Sequence, residues 1–173
     1  MAGTKFEKVR SAALLVKEAL DAWSLPSFVK TSGATGLHLF VPIARGPTQR
    51  EVHAVARDIS LAISARHPRV FTTEYRIANR PRGSVLLDFN QNSAGHTLAG
   101  AYSVRPTPSA TVSTPLDWSE VRDGAVPRDF TLVTVPLRLS QREDPWSGGA
   151  MNRARVDLLD WRERMMGARR RAS

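Results

Sequence analysis

Apolar residues recur at helical spacing from the start of the chain. Phe6, Val9, Ala13, Val16 and Leu20 fall on one face of a 3.6-residue repeat, with charged residues between them. Thr4 and Glu7 stand three apart at the head of this stripe, the pattern of a capping box that satisfies exposed amides at a helix start. The spacing predicts a helix that stops before Pro26. The period then shortens, and strands are predicted over residues 28–31 and 37–41. A second capping box, Thr48-Gln49-Arg50-Glu51, opens another stripe of Val52, Val55, Ala56, Ile59, Ala62 and Ile63. His67-Pro68 closes that helix near Arg66. Further strands are predicted near residues 70–74 and 84–89.

Residues 92–128 are rich in Pro, Ser, Thr and Gly and read as loops with short strands, with a helical turn at Asp117-Trp118-Ser119-Glu120-Val121. The alternation of Thr131-Leu132-Val133-Thr134-Val135 predicts a strand closed by Pro136. Ser147-Gly148-Gly149 reads as a hinge before a terminal helix in which Leu158, Trp161 and Met165 share a face. No internal repeat is visible.

Composition narrows the class. With 173 residues and 42% hydrophobic content, one globular domain with a real core is expected. The absence of cysteine excludes disulfide scaffolds and thiolate metal sites and suits a cytoplasmic protein. No apolar run reaches membrane-spanning length, and no signal-peptide core is present at the N-terminus. The net charge of +9 favours a polyanionic partner. Residues 151–173 hold seven arginines against Asp157, Asp160 and Glu163, so this segment alone carries +4. It serves equally as a solubilising terminus or as an electrostatic arm.

Candidate chemistry centres on Ser32-Gly33-Ala34-Thr35-Gly36-Leu37-His38. Two glycines let a backbone approach a ligand and expose its amides, while Ser32 and His38 flank the turn with a hydroxyl and an imidazole. Such a turn suits a triphosphate, although a hairpin with two glycines is also ordinary punctuation and His38 also reads as a packed strand histidine. Asp88 ends the predicted strand Ser84-Val85-Leu86-Leu87-Asp88. By itself it reads as a strand-end Asp capping a loop. His53, His67 and His96 are not spaced as a metal site, and no nucleophile elbow or Walker sequence occurs.

Several segments together resemble one family. Residues 25–42, the stretch Leu86-Leu87-Asp88-Phe89-Asn90-Gln91-Asn92, and Ala101-Tyr102-Ser103-Val104-Arg105-Pro106 resemble the polymerase domain of bacterial DNA ligase D. Phe71-Thr72-Thr73-Glu74, Pro127-Arg128-Asp129-Phe130-Thr131 and Asp144-Pro145-Trp146 extend the resemblance, in order, to about residue 146. This is the primase-polymerase of bacterial non-homologous end joining, within the archaeo-eukaryotic primase superfamily. The resemblance implies an α/β (α+β) chain with a partial primase-polymerase fold. Its sheet would be like that of an RNA-recognition motif, with flanking helices and the first strand missing. Residues 1–146 would be the partial polymerase domain and residues 147–173 a basic C-terminal helix or tail.

It also implies roles. Asp88 would be a catalytic carboxylate and a ligand of a divalent cation, manganese or magnesium. Ser32, Gly33, Gly36, His38, Arg105 and Arg82, or its neighbour Arg80, would meet the nucleotide. Thr35 stands where the family often has Lys, which should weaken triphosphate binding. The family's earlier Asp-x-Asp strand has no counterpart: Glu7, Glu18 and Asp21 precede the turn and none forms that motif. A chain without that strand is expected to be inactive alone and to be marginally stable or to associate.

The implied partners are DNA ends and nucleoside triphosphates, with a chain supplying the missing N-terminal half, a ligase domain or Ku as further candidates. The implied location is the bacterial cytoplasm at the nucleoid. The implied reaction is templated nucleotidyl transfer, often of ribonucleotides, to broken DNA ends. One half of a split polymerase, a non-catalytic nucleotide- or DNA-binding accessory module, and a decayed gene product remain as alternatives.

Overall fold

The computed structural model describes the backbone of residues 2–171 and the side chains of residues 6–165. The chain forms two compact units, one of residues 1–41 and 98–153, the other of residues 42–97 and 154–173. The class is the expected mixture of helices and small sheets.

In the first unit, α1 (Ala2–Ala22) buries Phe6, Ala13 and Leu20 of the predicted stripe, together with Ala12 and Ala19. The helix is already running at Ala2, so Thr4 lies inside its first turn; the Thr4 side chain, and with it the proposed box, lies outside the described residues. Its C-terminus is a Schellman closure. Ser24 takes a left-handed conformation (φ 57°), Leu25 N donates to Leu20 O at 2.9 Å, and Ser24 N to Asp21 O at 2.9 Å. The chain therefore turns before Pro26 is reached.

Strands β1 (Phe28–Thr31) and β2 (Leu37–Phe40) form the expected hairpin, with Lys30 directly opposite His38. The outer edge of β1 pairs antiparallel with β5 (Pro115–Leu116), giving the order β2-β1-β5. Both faces of β1 are covered: Val29 is 0% and Lys30 1% exposed. Val29 belongs to the core of this unit, with Val112, Leu116, Val121, Phe130 and Val135. The predicted turn at Asp117 is the short helix α3 (Trp118–Asp123), capped by the Asp117 amide donating to Glu120 Oε2 at 2.9 Å.

The strand expected over residues 131–135 does not form. Only Thr131 bridges, to Thr111, and the chain then enters α4 (Thr134–Gln141). The Thr131 hydroxyl oxygen accepts the amides of Val133 and Thr134, the local bonding by which threonine starts a helix. Pro136 sits in the first turn, where a missing amide hydrogen costs nothing. After α5 (Ala150–Arg153) the first unit ends.

In the second unit, α2 (Gln49–Arg66) has the predicted capping box in full: Glu51 N donates to Thr48 Oγ1 at 3.3 Å, and Thr48 N to Glu51 Oε2 at 2.7 Å. Val55 and Ile63 of its stripe are buried. Strands β3 (Phe71–Thr72) and β4 (Val85–Leu86) are two-residue segments paired in parallel, and among the described residues no third strand joins them. The terminal helix α6 (Leu158–Arg171) buries Leu158 and ties to α2 through Arg162 and Asp58 at 2.8 Å. No helix of the described residues is long and apolar enough to cross a membrane.

Candidate nucleotide turn and carboxylate

The glycine turn is closed from within. Ser32 N donates to Gly36 O at 2.9 Å, and the Ser32 hydroxyl oxygen accepts the amides of Ala34 at 3.1 Å and Gly36 at 3.0 Å. Two amides that the sequence left open for a ligand are thus bonded to Ser32. The two glycines differ in kind. Gly33 is buried with φ +71°, and a Cβ there would lie 2.9 Å from Ser113 N and 3.1 Å from Val112 C, besides meeting Cγ of Arg105. Gly36 has only Ser32 Oγ near its absent Cβ, at 3.8 Å. Gly33 is therefore demanded by the protein's own packing, whereas Gly36 is not.

Beneath the turn lies a residue that sequence reasoning passed over. Lys30 is buried on β1, and its Nζ lies 3.0 Å from Nδ1 of His38, bonds Ser113 Oγ, and reaches Thr31 O at 3.4 Å. It also stands 5.9 Å above the Phe40 ring. Burial, and then the nearby Arg105 charge, lower its pKa to about 8. Among the described residues neither Lys30 nor Arg105 forms an ion pair with a carboxylate, and Arg105 Nε is buried without a hydrogen-bond partner. The first unit thus holds two cations and an imidazole at the glycine turn, an arrangement whose missing complement is an anion. His38 and Phe40 are in edge contact at 6.5 Å, and Phe40 meets Trp146 edge-on at 5.3 Å.

Asp88 and Arg82 belong to the second unit. Asp88 follows β4 and precedes a 3-10 turn over Phe89–Asn92. Gln91 Nε2 donates to its Oδ2 at 2.9 Å, while its Oδ1 is buried with no hydrogen-bond partner. An orphaned carboxylate oxygen suits a cation. A hard divalent ion, however, takes six or more oxygens, and no group of three His, Cys, Asp or Glu able to hold a metal exists among the described residues. The described residues place no second carboxylate or imidazole beside Asp88 in such a group. Arg80 is engaged locally, through Nε to Glu74 O at 2.9 Å and Nη2 to Tyr75 O at 2.8 Å, whereas Arg82 is exposed before β4. His53 packs edge-on against Phe89 at 5.4 Å.

Comparison with known proteins points to one family. A family model described as LigD, primase-polymerase domain, covers residues 1–146. The multifunctional non-homologous end joining protein LigD of Pseudomonas aeruginosa is 31% identical over 156 residues, which is 87% of this chain and 18% of that protein. The bifunctional LigD of Bacillus subtilis is 33% identical over 136 residues, 78% of this chain and 22% of that protein. The chain thus spans about a fifth of the length of these relatives. The polymerase domain of Mycobacterium tuberculosis ligase D, solved in complex with DNA, superposes with a TM-score of 0.74 at 27% identity. That likeness covers 81% of this chain and 48% of the solved one.

Proposed function

The chain belongs to the LigD primase-polymerase family, and from that premise we propose that it carries the nucleotide-holding part of a DNA end-joining polymerase. The observation that carries the reading is the set of Lys30, His38 and Arg105 at the glycine turn, without a carboxylate ion pair to Lys30 or Arg105. A triphosphate supplies the negative charge this set lacks. His38, Arg105 and the Ser32 hydroxyl hydrogen would bind the phosphates, and Arg82 is proposed by resemblance alone as a further nucleotide-binding residue. Thr35, exposed at the turn, gives only a hydroxyl where a cation would bind more tightly.

Asp88 is proposed as one carboxylate of a divalent-cation site, manganese or magnesium, whose ion would supply the charge neutralisation that nucleotidyl transfer needs. The remaining carboxylates would come from polypeptide outside these 173 residues. The isolated chain is therefore proposed to bind nucleotide and DNA ends without extending them. Non-homologous end joining is the setting of the relatives, and a ligase domain or Ku are the partners proposed with it.

The test is primer extension with manganese and ribonucleoside triphosphates. The chain alone should give no product, and a polypeptide joining it to a segment that bears Asp-x-Asp should give product that Asp88→Asn abolishes. Extension by the chain alone would overturn the division of the site. Absence of ATP binding would overturn the nucleotide reading. Retained ATP and DNA binding with no product from the joined polypeptide would favour an accessory binding module instead.

A further inference from the structure

We propose that Lys30 is a positioning residue that fixes His38 as the neutral tautomer carrying its proton on Nε2. The inference follows from counting donors. Ser113 Oγ donates its only hydrogen to Thr31 O at 2.7 Å, so toward Lys30 it can only accept. Lys30 Nζ also lies 3.4 Å from Thr31 O, a carbonyl, which can only accept. The third neighbour of Nζ is His38 Nδ1 at 3.0 Å. An ammonium has three hydrogens and no lone pair, so each of its neighbours must be an acceptor. Nδ1 is therefore bare, and the ring proton lies on Nε2.

With Lys30 an ammonium, a proton on Nδ1 as well would set two N–H groups head to head across 3.0 Å. The hairpin register makes the pairing specific, because Lys30 and His38 are directly opposed on β1 and β2. Lys30 is 1% exposed and does not itself reach solvent. Its influence on a ligand passes through the imidazole. Burial and Arg105 lower Lys30 only to about 8, so the ammonium form prevails at pH 7. The use of the Nε2–H donor on a phosphate rests on the proposed function; the tautomer does not.

The test is nitrogen-15 NMR of the full chain at pH 7, with His38 signals assigned by their loss in His38→Asn. The expected wild-type result is a wide separation between an unprotonated Nδ1 and a protonated Nε2. In Lys30→Met, which keeps chain length and removes the donors, the two shifts should move toward each other as tautomers mix. In Ser113→Ala, which leaves the Lys30–His38 bond, the wide separation should persist. A proton on Nδ1 in the wild type overturns the proposal even if Lys30→Met does not fold. An unchanged signature in a folded Lys30→Met does so as well. A final titration with ATP separates the two ideas. A wild-type signature that holds without responding to ATP upholds the role of Lys30 and removes the nucleotide reading.

Discussion

The Cβ that Gly33 lacks would fall onto Cγ of Arg105, and 2.9 Å from the backbone nitrogen of Ser113. The same glycine has φ +71°, where a side chain is strained whatever the space around it. Gly33→Ala should therefore cost about 2–4 kcal/mol of stability, combining left-handed strain with a clash against backbone. Gly36→Ala, with 3.8 Å to its nearest neighbour, should change stability by less than about 1 kcal/mol. Urea unfolding of the two variants side by side checks the contrast, and equal losses would contradict it.

Glu120 ties α3 to α4. Arg138 meets it with both terminal nitrogens, and Arg142 adds a contact at 3.0 Å and a second to Asp117 at 2.8 Å. Burial alone would raise the Glu120 pKa, but the Arg138 hydrogen bonds, the Asp117 amide and the charges of both arginines hold it below the usual value. Glu120→Ala leaves Arg138 half-buried without its partner and should lose about 2 kcal/mol. Because the folded pKa is depressed, this stabilisation is complete above the ordinary glutamate range and fades as pH falls through it. Thermal melts from pH 7 to pH 3.5 should lose less in Glu120→Gln than in the wild type.

Lys30 gives the same slope at the other end of the scale, through a penalty that rising pH relieves rather than a gain that falling pH removes. Its pKa in the folded chain is about 8 against 10.5 unfolded, so between these values the unfolded state binds more protons. Stability should therefore rise as pH climbs from about 8 toward 10. Burial and then Asp144 push the Tyr102 phenol well above its usual range, so its ionisation erodes stability only beyond pH 10. Denaturant midpoints at pH 7.5 and 9.5 should differ in favour of the higher pH, and the difference should shrink in Lys30→Met.

Loss of either proposed phosphate contact at the turn should weaken ATP binding. His38→Ala and Arg105→Ala are each expected to raise the dissociation constant about 10-fold, with Arg105→Lys recovering part of the loss. Asp88→Asn should leave ATP binding without divalent ions unchanged and weaken the binding of manganese to the chain. Calorimetric titration with and without manganese reads both effects.

DNA binding should be electrostatic. Arg169, Arg170 and Arg171 carry three of the chain's positive charges at its basic end. Their replacement by glutamine should weaken DNA affinity and make its logarithmic dependence on salt shallower by roughly 2–3 units. An unchanged slope would remove the terminal arginines from the interface. Substitution tests this better than deletion of residues 151–173, because Leu158 is buried and Arg162 pairs with Asp58.

Local chemistry made much of the fold legible in the residues. The second capping box, the stripe behind it, the hairpin and the turn at Asp117 are properties of neighbours, and all four form where the spacing puts them. Residues 131–135 defeated the same logic, because alternating Thr and Val fit a strand equally well as a threonine-capped helix start. The choice fell to tertiary packing, which buries Val135 beside Val112 and Phe130.

Segment order and charge alone determined the family resemblance, the mixed class and the preference for a polyanion. Only the tertiary structure decided what the individual residues at the turn do. Ser113, which bonds Lys30 and crowds the absent Cβ of Gly33, is 83 positions from Lys30 along the chain. Nothing in the residues around Lys30 singles it out from the rest of its strand, and a glycine in a turn reads as a ligand cradle. Burial and partners delivered from distant segments change both meanings, because desolvation and hydrogen-bond roles depend on three-dimensional surroundings rather than on sequence neighbours.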